Sequence, residues 1–180
     1  MPTDGALLAR TLPKVVLPIV GIAVVLVVSR MRGLSLRDGI GLNAPPLGGT
    51  VLWVVIYAAY MLVTDRLMGW RGPWDFTVWR EQPLVVDGLR VLAVGILGPI
   101  AEELIFRGAL HARLAATRLP IAAVIAMLAL GWALLHYSYS GGVIALIFGG
   151  GLLLGAARWR TGSVVVPILM HIVWNLYAIW

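Results

Sequence analysis

The sequence predicts an all-α fold, a polytopic transmembrane helix bundle of about six spans with its active site inside the bundle, and three observations lead there. Hydrophobic residues make up 61% of the 180-residue chain and charged residues 12%, about half the charged share of a soluble domain. The apolar runs are long and continuous, without the alternating ~10-residue segments of a membrane barrel. Each run is bounded by arginines, tryptophans or Gly/Pro turns, and at ~20 residues per span the chain can hold five to seven helices at most. It reads as one integral membrane domain over residues 1–180.

The first helix is expected at about residues 15–28, after Arg10 and Lys14 and before Arg30 and Arg32. No small-x-small cleavage site precedes Arg30 and further spans follow, so this run is read as a retained helix rather than a leader. Residues 39–50, with Asn43, Pro45, Pro46, Gly48 and Gly49, form a turn-rich connector. A second helix is expected at about residues 51–68. Residues 69–89 turn amphipathic, and Trp70, Trp74 and Trp79 among their charges read as an aromatic belt at the membrane surface. The third helix starts near Gly88 and runs to a stop at Pro120. The fourth covers residues 121 to about 136, the fifth residues 143–157 and the sixth residues 164–180. Gly149, Gly150, Gly151 and Gly155 in the fifth suit close helix packing in lipid.

The chain has no cysteine, which excludes disulfides and thiol catalysis. Its net charge of +6 is spread over short connections, which suits anionic headgroups rather than nucleic acid. Arg30, Arg32, Arg37, Arg113, Arg118, Arg158 and Arg160 fall on one side of the bundle. Arg10, Lys14, Arg66, Arg71, Arg80 and Arg90 fall on the other. The small excess places the first set in the cytoplasm and both termini outside.

Within the third helix, Glu102, Glu103 and Arg107 stand in an apolar segment. Together they cost roughly 8 to 10 kcal/mol at a helix centre, against about 3 returned by their apolar neighbours. These charges therefore pair with one another or line a cavity. Glu103 and Arg107, at i and i+4, lie on one face and pair; Glu102, about 100° away, is left available. Two further polar pairs share a helix face, Trp132 with His136 and His171 with Asn175. Counted from the turn at Pro120, Glu102 and His136 stand at matching depths of about 24 to 27 Å. This set supports hydrolysis without a covalent intermediate. A carboxylate and an imidazole can activate water, while an amide and a second imidazole can donate to an oxyanion. That route needs no cofactor. Zinc held by Glu102, His136 and His171 is the alternative source of an activated water, although the HExxH helix of zinc peptidases is absent.

At these residues the chain resembles the CPBP intramembrane proteases, the family of type II CAAX prenyl endopeptidases and of the bacterial abortive-infection, bacteriocin-processing and immunity proteins. Glu102-Glu103-Leu-Ile-Phe-Arg107 looks like its EExxxR motif. Trp132-Ala-Leu-Leu-His136 is similar to its FxxxH motif with Trp in place of Phe, and His171-Ile-Val-Trp-Asn175 matches its HxxxN motif. The family-like core is about residues 84–180, and the part before it is shorter than the roughly eight-helix family pattern implies. The resemblance implies that Glu102 and His136 activate water, that His171 and Asn175 form the oxyanion site, and that Glu103 and Arg107 hold the motif helix. The expected activity is endoproteolysis of a hydrophobic or prenylated peptide at the bilayer, with lipid as the other partner, in the plasma membrane of a bacterial cell. A catalytically silent scaffold or immunity protein is the competing reading. A proton-coupled transporter would need an internal repeat or paired broken helices, and the sequence has neither.

Overall fold

The computed structural model describes residues 4–69 and 83–179. These form six helices and no strand: α1 (Asp4–Met31), α2 (Leu47–Met68), α3 (Leu84–Ala115), α4 (Ile121–Leu134), α5 (Gly141–Thr161) and α6 (Val165–Ile179). The all-helical bundle is thus the one the apolar runs predict, and the chain is an integral membrane protein.

Several boundaries differ from the expectation. Four helices, α1, α2, α3 and α5, are long and apolar enough to cross a membrane. α4 and α6 have 14 and 15 residues, about 21 and 23 Å of rise, which is less than the ~30 Å hydrocarbon core. Both keep outward-facing apolar residues, Met127, Leu130 and Leu134 on α4 and Leu169, Val173 and Leu176 on α6. α1 starts at Asp4, well ahead of the expected start at about residue 15, and keeps Pro13 and Pro18 inside it. α4 ends at Leu134, so His136 stands in the turn beyond it, where the Tyr139 N–H donates to its carbonyl. Trp70, Trp74 and Trp79, expected in the aromatic belt, lie outside the described residues.

The ends are set by local chemistry. α2 stops at Gly69 and α5 at Gly162, both left-handed (φ 56° and 69°), where glycine escapes the Cβ clash. At the start of α5 the Ser140 side chain accepts from the Val143 N–H.

Contacts between helices fix their order. α1 runs parallel to α3: Gly21 faces Ala101, and the Arg113 guanidinium donates to the Arg32 carbonyl at 2.9 Å. Tyr60 on α2 donates to the Leu146 carbonyl of α5, and Tyr177 on α6 donates to the Asp65 carboxylate of α2 at 2.6 Å. The main core contains Tyr57, Met61, Trp132, Leu154, Met170 and Trp174. Leu17, Leu47, Leu67 and other large apolar residues of α1 and α2 face outward, the reverse of a soluble protein and the arrangement that lipid favours.

α4 and α5 pack closely through small residues. A Cβ on Gly151 would lie 3.0 Å from the Ala129 Cβ, 3.1 Å from its Cα and 3.2 Å from the Arg107 guanidinium. Gly131 on α4 has open space around its would-be Cβ. Gly151→Val is therefore expected to destabilise the bundle by about 1 to 3 kcal/mol or more, as overpacking does. Gly131→Ala is expected to leave stability unchanged or slightly raised. Thermal unfolding in detergent distinguishes the two.

Candidate active site

Glu103 is completely buried and Arg107 is 1% exposed. Arg107 Nη1 donates to Glu103 Oε1 at 3.0 Å, making the pair that their spacing predicts. Arg107 Nη2 reaches the Gly151 carbonyl at 3.2 Å, and its Cζ lies 4.7 Å from the centre of the Trp132 ring. The same Glu103 oxygen takes a third group, which spacing does not reveal: His171 Nδ1 stands 2.9 Å away. Glu103 thus orients an imidazole as well as binding an arginine. Because a carboxylate accepts, Nδ1 is the donating nitrogen and Nε2 is left for the cavity.

The motif helix is held in an unusual register. Within α3, two π-helical turns, Val91–Leu97 and Leu104–Leu110, flank the α-helical Gly98–Glu103. At the end of the first, the Gly98 N–H reaches back five residues to the Ala93 carbonyl. The next donor in that register, to the Val94 carbonyl, would be residue 99, a proline without an N–H. Asn175 supplies the missing donor, its Nδ2 lying 2.8 Å from the Val94 oxygen. At the end of the second turn, the His111 N–H bonds to the Phe106 carbonyl. Arg158 Nε donates to the Arg107 carbonyl in that turn at 2.9 Å. Each π turn, a feature that concentrates at functional sites, thus has a carbonyl bonded by a side chain from another helix.

Arg158 corrects the sequence reading. Grouped with the loop charges, it is in fact buried, and its Nη2 also reaches the Gly39 and Ile40 carbonyls at 3.4 and 3.3 Å. The connector before α2 wraps over it through Gly41 (φ 85°), where a Cβ would lie 2.7 Å from the guanidinium carbon.

Glu102 faces the other way, into a cavity of about 390 Å³ lined also by His136, His171 and Asn175, with Tyr57 and Lys14 further along its wall. All four residues singled out for chemistry therefore meet at one space, towards the end of the bundle opposite Arg32, Arg113 and Arg158. Glu102 Oε2 accepts from the Trp132 indole Nε1 at 2.6 Å. His136 Nδ1 lies 3.0 Å from the Trp132 carbonyl. A carbonyl can only accept, so Nδ1 carries the proton and a neutral His136 presents a bare Nε2. The Trp132 ring meets His136 and His171 edge-on, with centroids 5.4 and 5.2 Å away.

Among the described residues no three His, Asp or Glu side chains are grouped to hold a metal ion. His171 Nδ1 is turned to Glu103 and one Glu102 oxygen to Trp132.

Sequence reasoning missed the Trp132–Glu102 bond, the His171–Glu103 bond and the burial of Arg158. Two signals were present: an indole N–H in an apolar helix needs an acceptor, and Pro99 inside a helix leaves a carbonyl to be satisfied.

Fold and cavity together define a polytopic membrane protein with a carboxylate–imidazole site enclosed by its helices. The family model for type II CAAX prenyl endopeptidase Rce1-like proteins matches residues 85–177, which span α3 to α6 and every residue of the cavity motifs. The chain belongs to this Rce1-like family of membrane proteases. Neither the curated proteins nor the solved structures yielded a match.

The division between the adjacent glutamates has a measurable consequence. Removing one member of a buried ion pair costs about 3 to 5 kcal/mol, so Arg107→Ala is expected to lower the unfolding temperature in detergent sharply. Glu102→Gln, at the cavity wall and still able to accept from Trp132, is expected to unfold close to the wild type. Asn175→Ala strands the Val94 carbonyl and is expected to fall between them, at about 1 to 3 kcal/mol.

Proposed function

We propose that the protein is an intramembrane endopeptidase that hydrolyses a peptide bond of a hydrophobic or prenylated, CAAX-type substrate in the plasma membrane of a bacterial cell. The observation that carries this reading is the meeting of Glu102, His136, His171 and Asn175 on one cavity inside a membrane bundle. Membership of the Rce1-like family supports it.

The chemistry follows from the free valences. Glu102 has one oxygen engaged by Trp132 and the other available. His136, held through Nδ1, offers Nε2 as a base. Between them a water gives up one proton as its oxygen attacks the scissile carbonyl carbon, and the carbonyl electrons move onto oxygen. Asn175 has two amide hydrogens and commits one to Val94, so the second can donate to that oxyanion from a fixed position. His171 donates through Nε2 when its ring carries both protons. Preorganised donors of this kind stabilise charge as it develops, without reorganising. Collapse of the intermediate breaks the C–N bond, and the leaving nitrogen takes the proton removed from water. The products are a new carboxyl terminus and a new amine. The apolar wall, with Tyr57 and Trp174 beside Gly150, suits a hydrophobic substrate chain.

Purified protein is expected to cleave a hydrophobic or prenylated reporter peptide in detergent micelles or liposomes. Glu102→Ala is expected to reduce the rate by several orders of magnitude, and Asn175→Ala by about 10²- to 10³-fold, the usual effect of losing one oxyanion donor. Strong chelation is expected to leave the rate unchanged; loss on chelation with recovery on adding zinc would replace direct carboxylate activation by metal chemistry. A biological phenotype that survives Glu102→Ala and His136→Ala in folded protein would favour the silent scaffold.

A further inference from the structure

We infer that Trp132 is a positioning residue for hydrolysis: its indole N–H sets the orientation of the Glu102 carboxylate, while its main-chain carbonyl holds His136. The inference rests on the proteolytic reading above and adds a role that the family's FxxxH motif does not contain, since a phenylalanine at this position has no donor.

Three observations support it. Trp132 Nε1 donates to Glu102 Oε2 at 2.6 Å, a hydrogen bond to a charged acceptor, and the other Glu102 oxygen is left to meet water. The Trp132 ring cannot drift, because it is 5% exposed, has the Arg107 guanidinium 4.7 Å from its centre and touches the edges of His136 and His171. The carbonyl of the same residue receives His136 Nδ1 at 3.0 Å. One residue thus fixes both groups proposed to activate water, and the arginine that anchors Glu103 supports its ring. A glutamate has three side-chain torsions to restrain, and a misplacement of about 1 Å in a reacting group can cost ~10²-fold in rate. An indole N–H in a packed core imposes that restraint without adding charge to the site.

Two replacements in the full-length protein separate the hydrogen bond from the ring. Trp132→Phe removes the N–H together with part of the ring. Benzothienylalanine, introduced at position 132 by non-natural amino-acid incorporation, keeps the bicyclic shape and replaces only the N–H with sulfur. Both variants are expected to lower kcat by about 10- to 100-fold with KM changed by no more than about twofold, the pattern of a lost transition-state contribution. Wild-type kcat in the benzothienylalanine variant, with or without a loss in Trp132→Phe, would overturn the inference and leave Trp132 as packing while the proteolytic reading stands. A wild-type protein with no peptidase activity would overturn the proteolytic reading and the positioning role together.

A measurement without turnover tests the bond itself. In protein carrying ¹⁵N-indole tryptophan, the Trp132 resonance is identified by its loss in Trp132→Phe among the signals of the eight tryptophans. Its indole proton is expected to lie downfield and to move upfield in Glu102→Leu. A Trp132 signal indifferent to Glu102→Leu would overturn the inference.

Discussion

A carboxylate with no access to solvent, Glu103, is the constraint on which the rest of the site depends. A charge inside an apolar bundle is tolerated only when paired and hydrogen-bonded, and Glu103 gathers its partners from two helices: Arg107 on its own helix and His171 on α6. Arg107 must in turn be enclosed, and it is, by the Gly151 carbonyl on α5 and the face of Trp132 on α4. One buried charge therefore ties α3, α4, α5 and α6 together. It also turns Glu102, its neighbour in sequence, towards the cavity. Adjacent glutamates on a helix point in different directions, so one is buried in the ion pair and the other faces the cavity.

A second constraint comes from the backbone of α3. The two π turns shift the helix register on either side of Gly98–Glu103, and in the first Pro99 leaves the Val94 carbonyl without a backbone donor. In lipid such a group needs a partner within the protein. Asn175 provides it from α6, and Arg158 bonds the Arg107 carbonyl from α5, which pins both ends of the segment bearing the two glutamates. Asn175 is thereby part of the helix's support as well as of the cavity wall. Its amide is held in one orientation by the bond to the Val94 carbonyl.

Trp132 joins these two systems. It packs on the arginine of the structural pair while donating to the carboxylate at the cavity, and its carbonyl selects the tautomer of His136. The buried ion pair and the cavity carboxylate are linked here through a single side chain.

The sequence by itself determined the helical membrane class, because length and apolar content leave few alternatives for a chain of this kind. It also determined the Glu103–Arg107 pair and the availability of Glu102, since i to i+4 spacing on a helix is local geometry. The matched depths of Glu102 and His136, and the shared helix face of His171 and Asn175, are also legible there. What only the tertiary structure decided is which atom meets which across helices. The capture of His171 by Glu103, the Trp132–Glu102 bond and the burial of Arg158 beneath residues 39–41 join positions 30 to 119 residues apart. The short reach of α4 and α6 belongs with them, because hydrophobicity reports that a segment avoids water and not whether lipid or protein covers it. Periodicity describes one helix at a time, whereas these contacts depend on the rotation and depth of each helix against its neighbours, and packing alone fixes those.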